Sequence, residues 1–114
     1  MIEVALIEYL TDALNGVYVA MEKPKSKPET YVVLHKIDAG MVNQIAAATF
    51  SIMCYAPSLY KVTELAKEVK KALLNMDVEE ISSAKLGGES VSTRASEMTY
   101  ESELIFNFNY YEED

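Results

Sequence analysis

Apolar positions recur at helical spacing in two stretches of the chain and alternate along most of the remainder. Over residues 2–14, Ile2, Leu6, Tyr9, Leu10, Ala13 and Leu14 make one stripe, with Glu3, Glu8 and Asp12 off it. That spacing predicts an amphipathic helix. Asn15-Gly16 supplies its stop, because Gly tolerates the left-handed turn beyond a helix end. From Pro57-Ser58 onward, Leu59, Val62, Ala66, Val69, Leu73 and Met76 line a second helical face. Pro is tolerated in a first turn, where its missing donor would be unpaired anyway. Lys61, Glu64, Lys67, Glu68, Lys70 and Lys71 form the solvated side. Favourable and like-charge spacings offset one another there, so these charges add little stability.

The strands read from alternation. Val17 to Met21 is a short one, followed by Glu22-Lys-Pro-Lys-Ser-Lys-Pro28, a basic loop whose prolines cannot donate ladder hydrogen bonds. Tyr31 to His35 is β-branched and aromatic, and Asp38-Ala39-Gly40 reads as a turn. From Gln44 to Tyr55, Phe50, Ile52 and Cys54 point one way and Thr49, Ser51 and Met53 the other. Residues 78–96 are small and polar around Gly87-Gly88. They are expected to form an edge strand running into a mobile loop or the tip of a long hairpin. Residues 97–110 alternate most clearly: Met98, Tyr100, Leu104, Phe106, Phe108 and Tyr110 against Glu97, Thr99, Glu101, Glu103, Asn107 and Asn109. Ser102 and Ile105 interrupt the pattern. One-sided helices and mostly one-sided strands must cover each other. The fold class is therefore α+β, one domain over residues 1–114, with a mainly antiparallel sheet and both helices on one face.

Composition narrows the function. Half of the 114 residues are hydrophobic and only 4 Gly and 3 Pro occur, which is globular rather than disordered composition. The formal charge of −8 repels phosphate backbones and disfavours gripping nucleic acid. It leaves open a protein that surrounds DNA without holding it, and single-sign charge is also a common route to solubility. Cys54 is the only cysteine, so no disulfide forms within the chain. The N-terminus lacks the basic start and apolar run of a signal peptide, and no apolar stretch approaches the ~20 residues that span a bilayer. The expectation is a protein kept inside a cell with its thiol reduced, without a membrane partner.

Catalytic chemistry finds no purchase, and the expectation is no enzyme activity, no cofactor and no metal. A nucleophile–base pair would have to use His35, inside a strand, and Cys54 shares a face with Phe50 and Ile52 as a buried inert thiol would. Zinc needs about four converging ligands. Glu79-Glu80 and Glu112-Glu113 lack the spaced oxygen ligands of a calcium loop. Leu86-Gly87-Gly88 has neither the flanks nor the Lys-Ser/Thr of a phosphate loop. Tyr60 and Tyr111 fall off the core stripes, and Tyr55 lies opposite Phe50. Exposed aromatics of this kind suit a subunit interface, although partial burial explains them equally well. The acids of the last strand, Glu97, Glu101 and Glu103, stand apart from lysines gathered in the second helix and at Lys23, Lys25 and Lys27. Opposed charges fit head-to-tail contacts between identical subunits, which close into rings where the rotation permits.

The whole pattern resembles the tail terminator (tail completion) proteins of long-tailed phages, in the short form found in phages and prophages of Gram-positive bacteria. The likeness rests on the opening helix Met1–Leu14, Val17-Tyr-Val-Ala-Met-Glu22, the proline-bracketed lysine loop and Tyr31-Val-Val-Leu34. It continues through Thr49-Phe-Ser-Ile-Met-Cys-Tyr-Ala-Pro-Ser-Leu-Tyr60, which passes straight into Val62-Thr-Glu-Leu-Ala-Lys-Glu-Val-Lys-Lys-Ala72, and through the final aromatic strand. The resemblance implies a homo-oligomeric ring, typically a hexamer, on the head-proximal end of the tail tube. Its partners would be the tail tube protein and the head connector protein, with DNA passing through unbound. It also implies a place in the virion tail after synthesis in the bacterial host cytoplasm. The neighbouring head-closure and adaptor rings share this size and texture. An acidic monomeric binding module is an alternative of another class, and a carboxylate hydrolase ranks last. The expected interface residues are Lys23, Lys25, Lys27, Tyr60, Gly87, Gly88, Arg94, Glu97, Glu101 and Glu103.

Overall fold

The stripe at the N-terminus becomes helix α1 (Ile2–Ala13), burying Ile2, Leu6 and Leu10. Its end is closed by backbone hydrogen bonds from Asn15 to the carbonyl of Asp12 and from Gly16 to that of Thr11. Both closing residues are left-handed, Asn15 at φ 56° and Gly16 at φ 87°, so Asn shares the role expected of the glycine alone. A computed structural model describes residues 1–26, 28–42, 45–94 and 99–111. After α1 come β1 (Tyr18–Ala20), β2 (Tyr31–Val42), β3 (Ile45–Ala56), α2 (Leu59–Leu74), β4 (Ile81–Arg94) and β5 (Thr99–Tyr110). The element order is the one the hydrophobic pattern predicts.

The strands form one sheet in the order β1-β2-β3-β5-β4. Only β1 and β2 pair in parallel; every other neighbouring pair is antiparallel. Both helices pack on the face that carries Val32, Leu34, Phe50, Ile52, Cys54, Leu104, Phe106 and Phe108, forming one core with α1 and α2. Ser58 caps α2 by accepting from the backbone N–H of Lys61 at 3.1 Å, which leaves Pro57 one residue ahead of the cap rather than in the first turn. Leu59, expected on the buried stripe, is 53% exposed, and Leu65 is buried in its place. The stripe is thus shifted at its N-terminal end, because the helix begins at Leu59 and its first turn overhangs the sheet.

Two polar contacts tie α1 down. Tyr9 donates its hydroxyl to the carbonyl of Ala72 in α2 at 2.6 Å, and burial pushes the pKa of that phenol above its ordinary value. Lys36 of β2 meets Glu3 at 2.9 Å. Burial pushes the Glu3 carboxyl up, but the hydrogen bond and charge of Lys36 outweigh it and hold the group below the usual carboxylate range. Tyr9→Phe removes only the hydroxyl and leaves the Ala72 carbonyl short of a donor, so it should cost about 1 kcal/mol. Chemical denaturation of the two proteins at neutral pH measures that difference directly.

Two expectations are corrected. Asp38-Ala39-Gly40 is not a turn; it lies within β2, paired with Thr49, Ala48 and Ala47 of β3. Likewise, Leu86-Gly87-Gly88 is no mobile tip, because β4 continues through it to Arg94 and pairs with β5 throughout. The register shift between Leu86 and Gly88 places a bulge there. The glycine serves close approach, not backbone freedom: a Cβ on Gly87 would sit 2.9 Å from the side-chain nitrogen of Asn107. The edge-strand reading of this region holds over Ile81–Arg94, and residues 95 and 96 lie outside the described residues.

Candidate subunit interface

The sheet has a second face, opposite the helices, and of the residues expected at an interface Glu101 and Glu103 belong to it and Lys23 packs over it. From the register, this face carries Tyr31, Val33 and Asp38 of β2, Thr49, Ser51, Met53 and Tyr55 of β3, and Glu101, Glu103, Asn107 and Asn109 of β5. A parallel pair cannot be joined by a tight turn, so the connection between β1 and β2 has to cross a face of the sheet. It crosses this one. Pro24 is buried, and the Lys23 ammonium lies 5.2 Å from the centre of the Tyr55 ring. Tyr55 in turn stacks on Tyr31, with ring centres 4.6 Å apart. Tyr31, Val33 and Tyr55 make a small second core there with Met53 packed against it. Tyr55 is therefore buried, not the exposed aromatic expected on its side of the strand.

The predicted residues separate into three groups. Lys23 is engaged within its own chain over Tyr55, while Lys25 is exposed. Tyr60 projects from the first turn of α2 and is 74% exposed, the most open of the described aromatics. Gly87 sits in the β4 bulge and Gly88 follows it, and Arg94 ends β4 opposite Thr99. Lys27 and Glu97 lie outside the described residues. The acids of β5 do not form the open charged face expected of them. Glu101 is only 6% exposed, in register with Tyr55, and Glu103 accepts a hydrogen bond from the Ser51 hydroxyl.

Further along the same face the polar residues satisfy one another across strands. Thr49 donates to the side-chain oxygen of Asn107 at 2.6 Å, and Asn109 donates to the Ser83 hydroxyl at 2.8 Å. Such cross-strand pairs hold register in a sheet that has water on one side. His35 and Cys54 are on opposite faces: His35 is exposed beside Ser51, and Cys54 is sealed in the helix-side core. Burial pushes the Cys54 thiol up to about 12. Among the described residues, no group of His, Cys, Asp and Glu side chains is placed to hold a metal ion. No helix there is long and apolar enough to cross a membrane.

What the sequence did not reveal is that, among the described residues, much of β2 and the whole of β4 are open edges. β1 covers β2 only from Tyr31 to Val33, and β4 is the last strand on the other side. Reading Asp38–Gly40 as a turn hid the first margin. The length of β3 was the usable signal, since twelve residues of buried alternation need partners of matching length on both sides.

No protein-family model matches the chain, and no curated protein sequence matches it. Its fold is similar to that of a chain in the solved structure described as the virion of native gene transfer agent (GTA) particle. The two are 18% identical, the likeness covers 89% of this chain and 83% of that one, and the TM-score is 0.66. At that identity the likeness is one of fold alone.

Proposed function

We propose that this chain is a structural subunit of a phage-like particle, a tail terminator that assembles as a ring on the head-proximal end of the tail tube. The observation that carries the reading is the fold shared over 89% of the chain with a component of a gene transfer agent virion. Its physical character supports an assembly role. The molecule is elongated, 46 × 25 × 24 Å, with β2 beyond Val33 and the whole of β4 left as sheet edges among the described residues and outer-face polar groups that bond to each other across strands. In the ring, the tube protein and the head connector are its neighbours, and a hexamer is the expected number. DNA passes through the centre without being gripped, since the charge of −8 opposes phosphate contact.

Light scattering over a range of protein and salt concentrations, with and without purified tail tubes, tests the assembly. A six-subunit mass, alone or on tube ends, is the expected result, together with arrest of tube elongation when the protein is added to polymerising tube protein. Binding to a head connector with no effect on tube length would move the chain to the head-closure or adaptor position. A chain that stays monomeric and leaves tube growth untouched would overturn the ring reading.

A further inference from the structure

Unpaired sheet edges present rows of backbone donors and acceptors to any strand that fits them, and proteins protect such edges or use them. Here residues 34–42 of β2 form one edge and the whole of β4 the other. Neither strand contains proline. Exposed apolar side chains lie on or near both edges: Ile37, Met41 and Ile45 toward β2, and Leu86 toward β4. Because β2, β3, β5 and β4 pair antiparallel in succession, β2 and β4 run in opposite directions. A second copy placed side by side, by rotation about an axis along the strands, therefore meets the first with its β4 antiparallel to the first copy's β2.

The register adds a charge match. Asp38 pairs with Thr49, Thr49 with Asn107, and Asn107 with Lys85. One row across the sheet thus begins with an acid at one edge and ends with a base at the other. Both side chains are exposed, and neither has an ion pair among the described residues. The next two rows run Ala39–Ala48–Phe108–Ala84 and Gly40–Ala47–Asn109–Ser83, ending in small residues on both sides. No like charges meet in these three rows. Beyond them the ladder is interrupted by bulges between Lys36 and Asp38 on β2 and, one row further, between Leu86 and Gly88 on β4, with another on β4 between Ile81 and Ser83 at the opposite end. β1 occupies the rest of the β2 edge, from Tyr31 to Val33.

We infer that a second copy of this chain docks head to tail across these edges, laying Ser83–Lys85 antiparallel to Asp38–Gly40 with Lys85 beside the neighbouring copy's Asp38. Backbone hydrogen bonds supply the adhesion and the ion pair selects the register. A closed ring has no rise along its axis, and the contact of Lys85 with Asp38 sets which rows meet. This inference rests on the ring-forming part of the proposed function and adds the surface that forms the ring.

Asp38→Lys and Lys85→Glu test it, each confirmed as folded by circular dichroism. Each single variant should raise the concentration needed for half-assembly by roughly tenfold, since like charges now adjoin. The double variant should return to the wild-type value. An equimolar mixture of the two singles should recover as well, because alternating copies restore an opposite-charge contact at both of their interfaces. Should either reversal unfold the chain, Asp38→Asn and Lys85→Gln make the same comparison with a smaller expected shift. A ring that ignores all of these changes overturns the edge pairing and leaves the ring reading standing. An effect of Lys85→Glu that Asp38→Lys does not share, or a mixture that fails to recover, points to a two-fold β4–β4 contact and also overturns it. A wild-type chain that is monomeric alone and on tail tubes overturns the edge pairing and the ring reading together.

Discussion

Phe106→Ala is expected to lower the free energy of unfolding by about 3–5 kcal/mol. Phe106 is fully buried and lies on the helix-facing side of β5, between Phe50 of β3 in one direction and Leu86 of β4 in the other. Its ring stacks on Phe108 with centres 5.9 Å apart, and Phe108 meets Phe50 edge-on at 5.7 Å. Removing it deletes transfer energy and leaves a cavity that two rigid neighbouring strands cannot close. A domain of this size is stable by about 5–15 kcal/mol in total, so the variant should approach marginal folding. Urea titration checks this: the midpoint should fall with little change in slope. A loss below about 1 kcal/mol, the range of an ordinary surface change, would mean that the aromatic layer repacks freely.

The second large effect is alkaline. Cys54 is fully buried among Phe50, Ile52 and the helices, and burial pushes its thiol from 9.0 up to about 12. The folded state therefore holds this proton more tightly than the unfolded state. The stability it contributes is present in full below pH 9 and is lost progressively as pH rises toward 12. Each tenfold difference in acidity is worth about 1.4 kcal/mol, so the loss reaches a few kcal/mol at the top of that range. Thermal melts of wild type and Cys54→Ala between pH 8 and about pH 11 should diverge, with the wild type falling faster. Iodoacetamide at pH 8 should leave the native thiol unmodified and label it in denaturant. Rapid labelling of the folded protein would show that the helix layer opens far more readily than its packing implies.

How much was legible in the residues follows from how local each signal is. The faces of most of α1 and α2, and the alternation of β3 and β5, are carried by side chains a few positions apart and appear as expected, except that Ala13, expected on the α1 stripe, is exposed at the helix end. Even Ser102, an interruption in the β5 pattern, keeps its place on the inner face, buried and donating to the Ser90 carbonyl at 3.3 Å. The misread segments have small or polar residues whose state depends on distant partners. Asp38-Ala39-Gly40 has turn composition, yet β3 draws it into a ladder. Gly87-Gly88 looks like a flexible tip, yet Asn107 lies close against it from the neighbouring strand. The covering of Tyr55 by Lys23 comes from a connection outside its own strand, which alternation within a strand cannot register.

The sequence by itself determined the α+β class, the element order, the helix-side core and the inert position of Cys54. Period and polarity decide which face of an element leaves water, and that choice is made within each segment. Only the tertiary structure decided which strand neighbours which, and so which edges remain open and which charges share a row. Asp38 and Lys85 are far apart in sequence and at opposite margins of the sheet. Nothing local relates them until β3 and β5 are laid between the two edges and their register is set.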